Sequence, residues 1–99
     1  MSKLVLSNRA QAYIKLKVYQ KAYDDAHLAL QIDFEHIKSV GRRGTAAFYL
    51  KKYKQAKLDF LHALQLEPTN TQFAEYLKKT LEKLDKIKLE SYEKMRRRV

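Results

Sequence analysis

Ninety-nine residues, 45% of them apolar with two Gly and one Pro, supply one hydrophobic core rather than two, and too few turn residues for a many-stranded β-fold. The absence of cysteine excludes a disulfide framework and a thiolate zinc site. Twenty-one basic against eleven acidic residues, a formal charge of +10, favour an acidic partner: a peptide, a nucleic acid or an anionic surface.

The chain opens on Met1-Ser2-Lys3-Leu4-Val5-Leu6-Ser7-Asn8-Arg9, whose apolar stretch is too short for a signal peptide, and no later run has the length of a membrane span. A soluble, cytoplasmic protein without a membrane partner is expected. Helical spacing of apolar residues predicts a first helix over 3–17 and a second over 20–33, linked at Val18-Tyr19. The same pattern returns over 37–51 and 54–66, linked at Lys52-Tyr53.

This return is an internal repeat. A shift of 34 residues pairs Arg9 with Arg43, Ala12 with Ala46, Leu16 with Leu50, Lys17 with Lys51 and Tyr19 with Tyr53. It also pairs Ala22, Asp25, Ala29, Leu30 and Gln31 with Ala56, Asp59, Ala63, Leu64 and Gln65. Such a period marks stacked supersecondary units, here 3–36 and 37–70, each a helix hairpin. Ala10, Ala22 and Ala29, with Gly44, Ala56 and Ala63, fall where paired helices must come close, and Tyr13, Tyr19, Phe60 and Leu64 are expected to fill the gaps around them. Gly44 inside a helix costs about 1 kcal/mol relative to Ala, which close packing would offset.

Pro68 stops the fourth helix after Leu66, and Thr69 with Gln72 is the expected cap of a fifth. Its stripe of Phe73, Tyr76, Leu77, Leu81, Leu84 and Ile87 is suited to close the open end of the stack over 71–95, thinning beyond Lys88 toward solvent. Residues 96–99 form a basic tail. The fold class is therefore all-α, a single domain over 3–95.

The units resemble tetratricopeptide (TPR) motifs in the small and aromatic positions Ala10, Tyr13, Tyr19, Ala22 and Ala29, then Gly44, Tyr53, Ala56, Phe60, Ala63 and Pro68. Departures are Ala26 in place of an aromatic, Phe34 in place of the terminal proline and Ala47 in place of Tyr. The resemblance implies a TPR superhelix of two hairpins with a long C-terminal capping helix. Ser7-Asn8-Arg9-Ala10 and Lys38-Ser39-Val40-Gly41-Arg42-Arg43-Gly44 are further similar to the carboxylate-clamp TPR domains, which hold the acidic C-terminal tails of Hsp70 and Hsp90. That similarity implies a peptide carboxylate-binding site of Asn8, Lys38 and Arg42 in a co-chaperone-like module. The family's clamp also draws a Lys and an Asn from a preceding repeat. Weak binding, completion of the groove by a partner chain or upstream segment, or another use of the site all stay open.

Residue spacing supports the same site. Lys38 and Arg42, at i and i+4, share one helix face, and Asn8 stands 34 residues before Arg42, one repeat away on the same wall. A guanidinium fork, an ammonium and an amide together suit a terminal carboxylate. The bland reading of Lys38 and Arg42 is two solvated charges, and of Asn8 a surface amide. Other readings are a scaffold docking another protein near Leu4, Leu6 and Tyr13, and nucleic-acid binding through the acid-free basic stretch 38–57 and the tail. Gly41-Arg42-Arg43-Gly44 also resembles a KH-domain GxxG loop, but the repeat puts both glycines in one helix. His27, His36 and His62 lack metal-ligand spacing. Asp24, Asp25 and Asp59 read as solvated or capping carboxylates rather than acid–base catalysts, and the tyrosines as repeat core. No enzyme activity, small-molecule substrate or cofactor is expected.

Overall fold

The computed structural model describes residues 1–97. They form five helices and, among the described residues, no strand: α1 (Lys3–Lys15), α2 (Tyr19–Ile32), α3 (Ile37–Tyr49), α4 (Tyr53–Leu66) and α5 (Thr71–Arg97). Successive helices pack on one another, α1 also meets α3, and α3 meets the start of α5. The first helix of each hairpin thus forms one wall with α5, and α2 and α4 form the other.

The hairpin links begin two residues earlier than the apolar pattern indicates, because Lys17 and Lys51 adopt left-handed backbone at φ 61° and 63°. In the first link the Lys17 N–H reaches Ile14 O and the Val18 N–H reaches Tyr13 O; Lys51 and Lys52 repeat these bonds to Phe48 O and Ala47 O. This pair of bonds is the Schellman closure, which satisfies carbonyls left open at a helix end. Side-chain caps recur at two of the three repeat-equivalent positions. Ser2 Oγ accepts from the Val5 N–H and Asn70 Oδ1 from the Phe73 N–H. Asn70, not Thr69, therefore caps α5, and its amide also holds Glu67. The amide reaches the third N–H of the helix from the residue directly before it, where the chain has already turned after Pro68.

Ala10, Ala22, Ala29, Ala56 and Ala63 are fully buried, as the close-approach reading requires. A Cβ on Gly44 would come within 3.1 Å of Asp59 Cβ and of the Phe60 ring, so the glycine lets α3 and α4 meet. Gly41 does the same for α5: a Cβ there would lie 2.6 Å from Phe73 Cε1. Phe73 joins two core clusters, one around Leu30, Val40 and Ala63, the other around Ala47, Ala56 and Phe60. Tyr23 and Tyr76 pack on the second, whereas Tyr49 and Tyr92 are exposed and lie outside the tyrosine core expected above.

The α5 stripe closes the stack only in its first half. Phe73, Tyr76 and Leu77 are partly buried and Thr80 fully so, its hydroxyl donating to Tyr76 O. From Leu81 onward α5 is largely exposed, and it continues as helix through Arg96 and Arg97, so these two arginines extend α5 rather than form a separate tail. Arg98 and Val99 lie outside the described residues. Among the described residues, no helix is long and apolar enough to cross a membrane.

Candidate functional site

A concave pocket of about 310 Å³ lies where α1, α3 and the first turns of α5 converge. Lys38 and Arg42 both line it, one turn apart on α3, with Thr45 one further turn along. Gln11 and Ile14 come from α1, and Gln72, Phe73 and Tyr76 from α5.

Arg42 is half-buried and anchored. Its Nη1 donates to Ser7 O at 2.8 Å and to Ser7 Oγ at 2.9 Å, and Ser7 is itself buried. One nitrogen is thus committed to α1, while Nε and Nη2 make no hydrogen bond to the described residues. Burial pushes the guanidinium below its ordinary value, yet an arginine remains charged at neutral pH. Lys38 is exposed at the same pocket. Tyr76 is pushed up to about 12 by burial and by the Tyr49 hydroxyl 3.4 Å away, so the Tyr76 phenol stays protonated at neutral pH.

Asn8 is exposed and does not line the pocket. It sits one turn ahead of Gln11 on α1, and its neighbours carry structural contacts: Ser7 holds Arg42, and Arg9 pairs with Asp25. The structure therefore brings two of the three sequence-derived residues together and leaves the third one turn outside. Gln11, Gln72 and Phe73 were not singled out as site residues. Gln11 lies on α1, whereas assigning Gln72 and Phe73 needs the seating of α5 on α3, where Gly41 lets the Phe73 ring approach.

Two of the three carboxylates differ from their sequence reading, while Asp24 is exposed as expected. Asp25 and Asp59 are neither solvated nor capping; they are 5% and 2% exposed and paired to arginines. Arg9 Nε and Nη2 grip Asp25 at 2.6 and 2.8 Å. Arg43 Nη2 and Nε donate to Asp59 at 2.8 and 3.0 Å, with Gln55 Nε2 adding a bond at 3.0 Å. Burial pushes the Asp59 carboxyl up, while Arg43 and Gln55 pull it back.

The basic stretch 38–57 is likewise not one surface. Lys38 and Arg42 face the pocket, Arg43 is consumed by Asp59, and Lys52 Nζ lies 4.4 Å from the centre of the Tyr23 ring. Gly41 and Gly44 both lie within α3, which removes the GxxG-loop reading. Of the apolar residues suggested for the N-terminal face, Leu4 is exposed, Leu6 is buried and Tyr13 is half-buried; Met1, Val5, Leu28 and Ile32 are also exposed there.

No protein-family model matches the chain. It is 41% identical over 73 residues, 74% of its length, to human RNA polymerase II-associated protein 3, and covers 11% of that protein. Over 68 residues it is 44% identical to Translocon at the outer membrane of chloroplasts 64 of Pisum sativum, covering 12% of it. The chain thus spans only about a ninth of the curated relatives it matches. Among solved structures, the first TPR of Spaghetti (RPAP3) bound to the HSP90 peptide SRMEEVD superposes with a TM-score of 0.82 at 36% identity, over 85% of this chain and 67% of that one. The second TPR domain of human RPAP3, in complex with the HSP70 peptide SGPTIEEVD, gives 0.75 at 40% identity, over 80% and 66%.

Proposed function

The chain belongs to the tetratricopeptide repeat family, and from that premise we propose that it is a co-chaperone-like binding module, not an enzyme, whose concave pocket captures the acidic C-terminal tail of an Hsp70 or Hsp90 chaperone in the cytoplasm. The observation that carries this reading is the placement of Arg42 and Lys38 together in the pocket, with Arg42 pre-aimed by Ser7. Anchoring through Nη1 lowers the entropy lost on binding and leaves Nε and Nη2 for the peptide's terminal carboxylate. Lys38 supplies a mobile point charge for an acidic side chain, and Asn8 an amide one turn away along α1. The two full structures compared above carry acidic peptides ending in EEVD, a charge pattern complementary to these cations.

Charge-assisted hydrogen bonds contribute about 1.5–3 kcal/mol each, and a micromolar complex needs about 8 kcal/mol. Two cations, one amide and apolar contact with Phe73 come near that figure. Calorimetric titration with a chaperone-tail peptide tests the reading. Binding by the free acid, lost both for the C-terminal amide and in Arg42→Ala, is the expected result. Equal binding of acid and amide, or none by the folded domain, would exclude the clamp.

A scaffold reading has one observation in its favour: Leu4, Val5, Leu28 and Ile32 expose apolar surface at the α1–α2 end of the stack. A chain that acts there would ignore the peptide and lose its partner on Val5→Glu.

A further inference from the structure

The second half of α5 creates a surface that peptide capture in the concave pocket does not use. α5 has 27 residues and its neighbour α4 has 14, so α5 outruns α4 by about 20 Å. Where the two helices part, a groove of about 870 Å³ opens between the first turns of α4 and the Leu81–Met95 span of α5. Its floor is apolar: Leu58 is 61% exposed, Ile87 51%, Tyr92 63% and Met95 66%, with Leu81 and Leu84 between them. These side chains continue the stripe that, through Phe73, Tyr76 and Leu77, closes the core. The stripe keeps its register after the helix it would cover has ended.

The rim is basic. Lys54 and Lys57 on α4 and Lys88 on α5 border the floor against one acid, Asp85. Lys51 and Lys52 extend the positive edge through an adjoining cleft that shares Lys54, Leu84 and Ile87. An apolar channel between helices, about four turns long and edged with lysine, is the complement of an amphipathic helix with an acidic polar face. A second copy of this chain fits poorly, because its net charge of +10 opposes self-association and its own α5 carries the same lysines.

We infer that the groove between α4 and the overhanging half of α5 docks an acidic amphipathic helix of a partner protein, at a site separate from the concave pocket. Apolar positions of the partner at i, i+3, i+4 and i+7 seat on Leu58, Leu84, Ile87 and Met95, while its carboxylates meet Lys54, Lys57 and Lys88. The lysines steer the encounter and set polarity, and the apolar floor supplies most of the affinity.

The probe is a synthetic helical peptide of about four turns, with Leu at those positions and Glu elsewhere, titrated into the isotope-labelled full chain. Chemical-shift changes are expected at the start of α4 and along Leu81–Met95. The complex is expected to weaken about tenfold in Ile87→Glu, in Lys54→Glu and when the peptide's Glu are replaced by Lys. Ile87 and Lys54 are exposed, so both variants should keep the wild-type circular dichroism and thermal transition. No binding would overturn the proposal. Equal binding of the Lys-faced peptide would overturn it in favour of nonspecific apolar adsorption. Shifts confined to Lys38 and Arg42 would assign the peptide to the concave pocket instead, and concentration-dependent dimerisation abolished by Ile87→Glu would make a second copy the occupant. Arg42→Ala, which tests the concave pocket, is expected to leave this binding unchanged, so the two readings fail separately.

Discussion

The two hairpins place the same residues in the same register and make different use of them. Arg9 and Asp25 pair as Arg43 and Asp59 do, but the Arg9 side chain is 44% exposed and that of Arg43 only 19%. Arg43 sits at the joint between repeats, where its Nη1 also donates to His27 Nδ1 of the first hairpin at 2.9 Å, whereas Arg9 has no helix pair on its outer side among the described residues. A second contrast lies deeper. Gly44 and Phe60 are one repeat on from Ala10 and Ala26, and all four are fully buried or nearly so. The second hairpin fits a large ring beside a missing side chain, and the first fits two methyl groups. What the repeat conserves is the spacing of the helices, with volume moved across the interface to keep it.

The largest way to break that contrast is at Phe60. Phe60→Ala should cost about 3–5 kcal/mol in urea denaturation, since it empties the centre of a core cluster. Gly44→Ala alone should cost about 1–2 kcal/mol: the 3.1 Å contacts outweigh the helix-propensity gain. Combined, the two should be less damaging than their sum, because the added methyl group enters the space the ring leaves, as Ala10 and Ala26 already do in the first hairpin. Strict additivity would show that the glycine has no packing relation to the ring.

The ion pairs come next. Asp59→Ala strands the half-buried Arg43 and should lower stability by about 3 kcal/mol. Asp25→Ala should lower it less, because Arg9 can turn to water. Equal shifts in thermal midpoint would mean that the joint between repeats gives the second pair no added weight.

Both contrasts were partly visible in the chain before folding. Arg9, Arg43, Asp25 and Asp59 were four of the residues that defined the 34-residue repeat, yet each carboxylate considered alone read as solvated. The pairing spans 16 residues between antiparallel helices and becomes visible only when the hairpin is closed. The helices, their order and the small-residue contacts followed from apolar spacing, which is a local property. Helix ends followed less well, since nothing in residue preference favours lysine at a left-handed position. For the pocket, Lys38 and Arg42 were legible as an i, i+4 pair on one element. Gln72 and Phe73 were not, because they depend on where α5 crosses α3, and Asn8 was placed by repeat arithmetic that fixes a helix face without fixing depth in the groove.

The caps sharpen the comparison at smaller scale. Ser2, His36 and Asn70 occupy the same repeat position before α1, α3 and α5, and only Ser2 and Asn70 bond a helix N–H. His36 instead shares its Nδ1 with Ser39 Oγ at 2.7 Å. Burial, with Lys3 next, Asp33 opposing, and Arg42 and Lys38 adding to it, holds this imidazole below its ordinary 6.5. The unfolded chain therefore binds the proton more readily, so this stability is present above pH 6.5 and is lost as pH falls through the depressed folded value. His36→Asn should stabilise the fold by about 1 kcal/mol at neutral pH through a restored cap. It should also flatten the acid-side loss of stability in denaturation measured from pH 7 downward. An unchanged pH profile would remove His36 as its source.

The smallest effect separates the two hairpin links. Lys17 and Lys51 both hold a left-handed conformation that glycine adopts without steric cost, and both are exposed. Lys17→Gly and Lys51→Gly should each relieve local strain while increasing the freedom of the unfolded chain, for a net gain of about 0.5 kcal/mol or less. The second link carries a counterweight. Lys51 lies on the basic edge beside Lys52, Tyr53 and Lys54, so its removal also lessens like-charge repulsion there. Lys51→Gly should therefore exceed Lys17→Gly at low ionic strength, and the gap should close as salt is added. A gap that persists in high salt would place the difference in the backbone of the two links, whose Schellman bonds differ by no more than 0.2 Å.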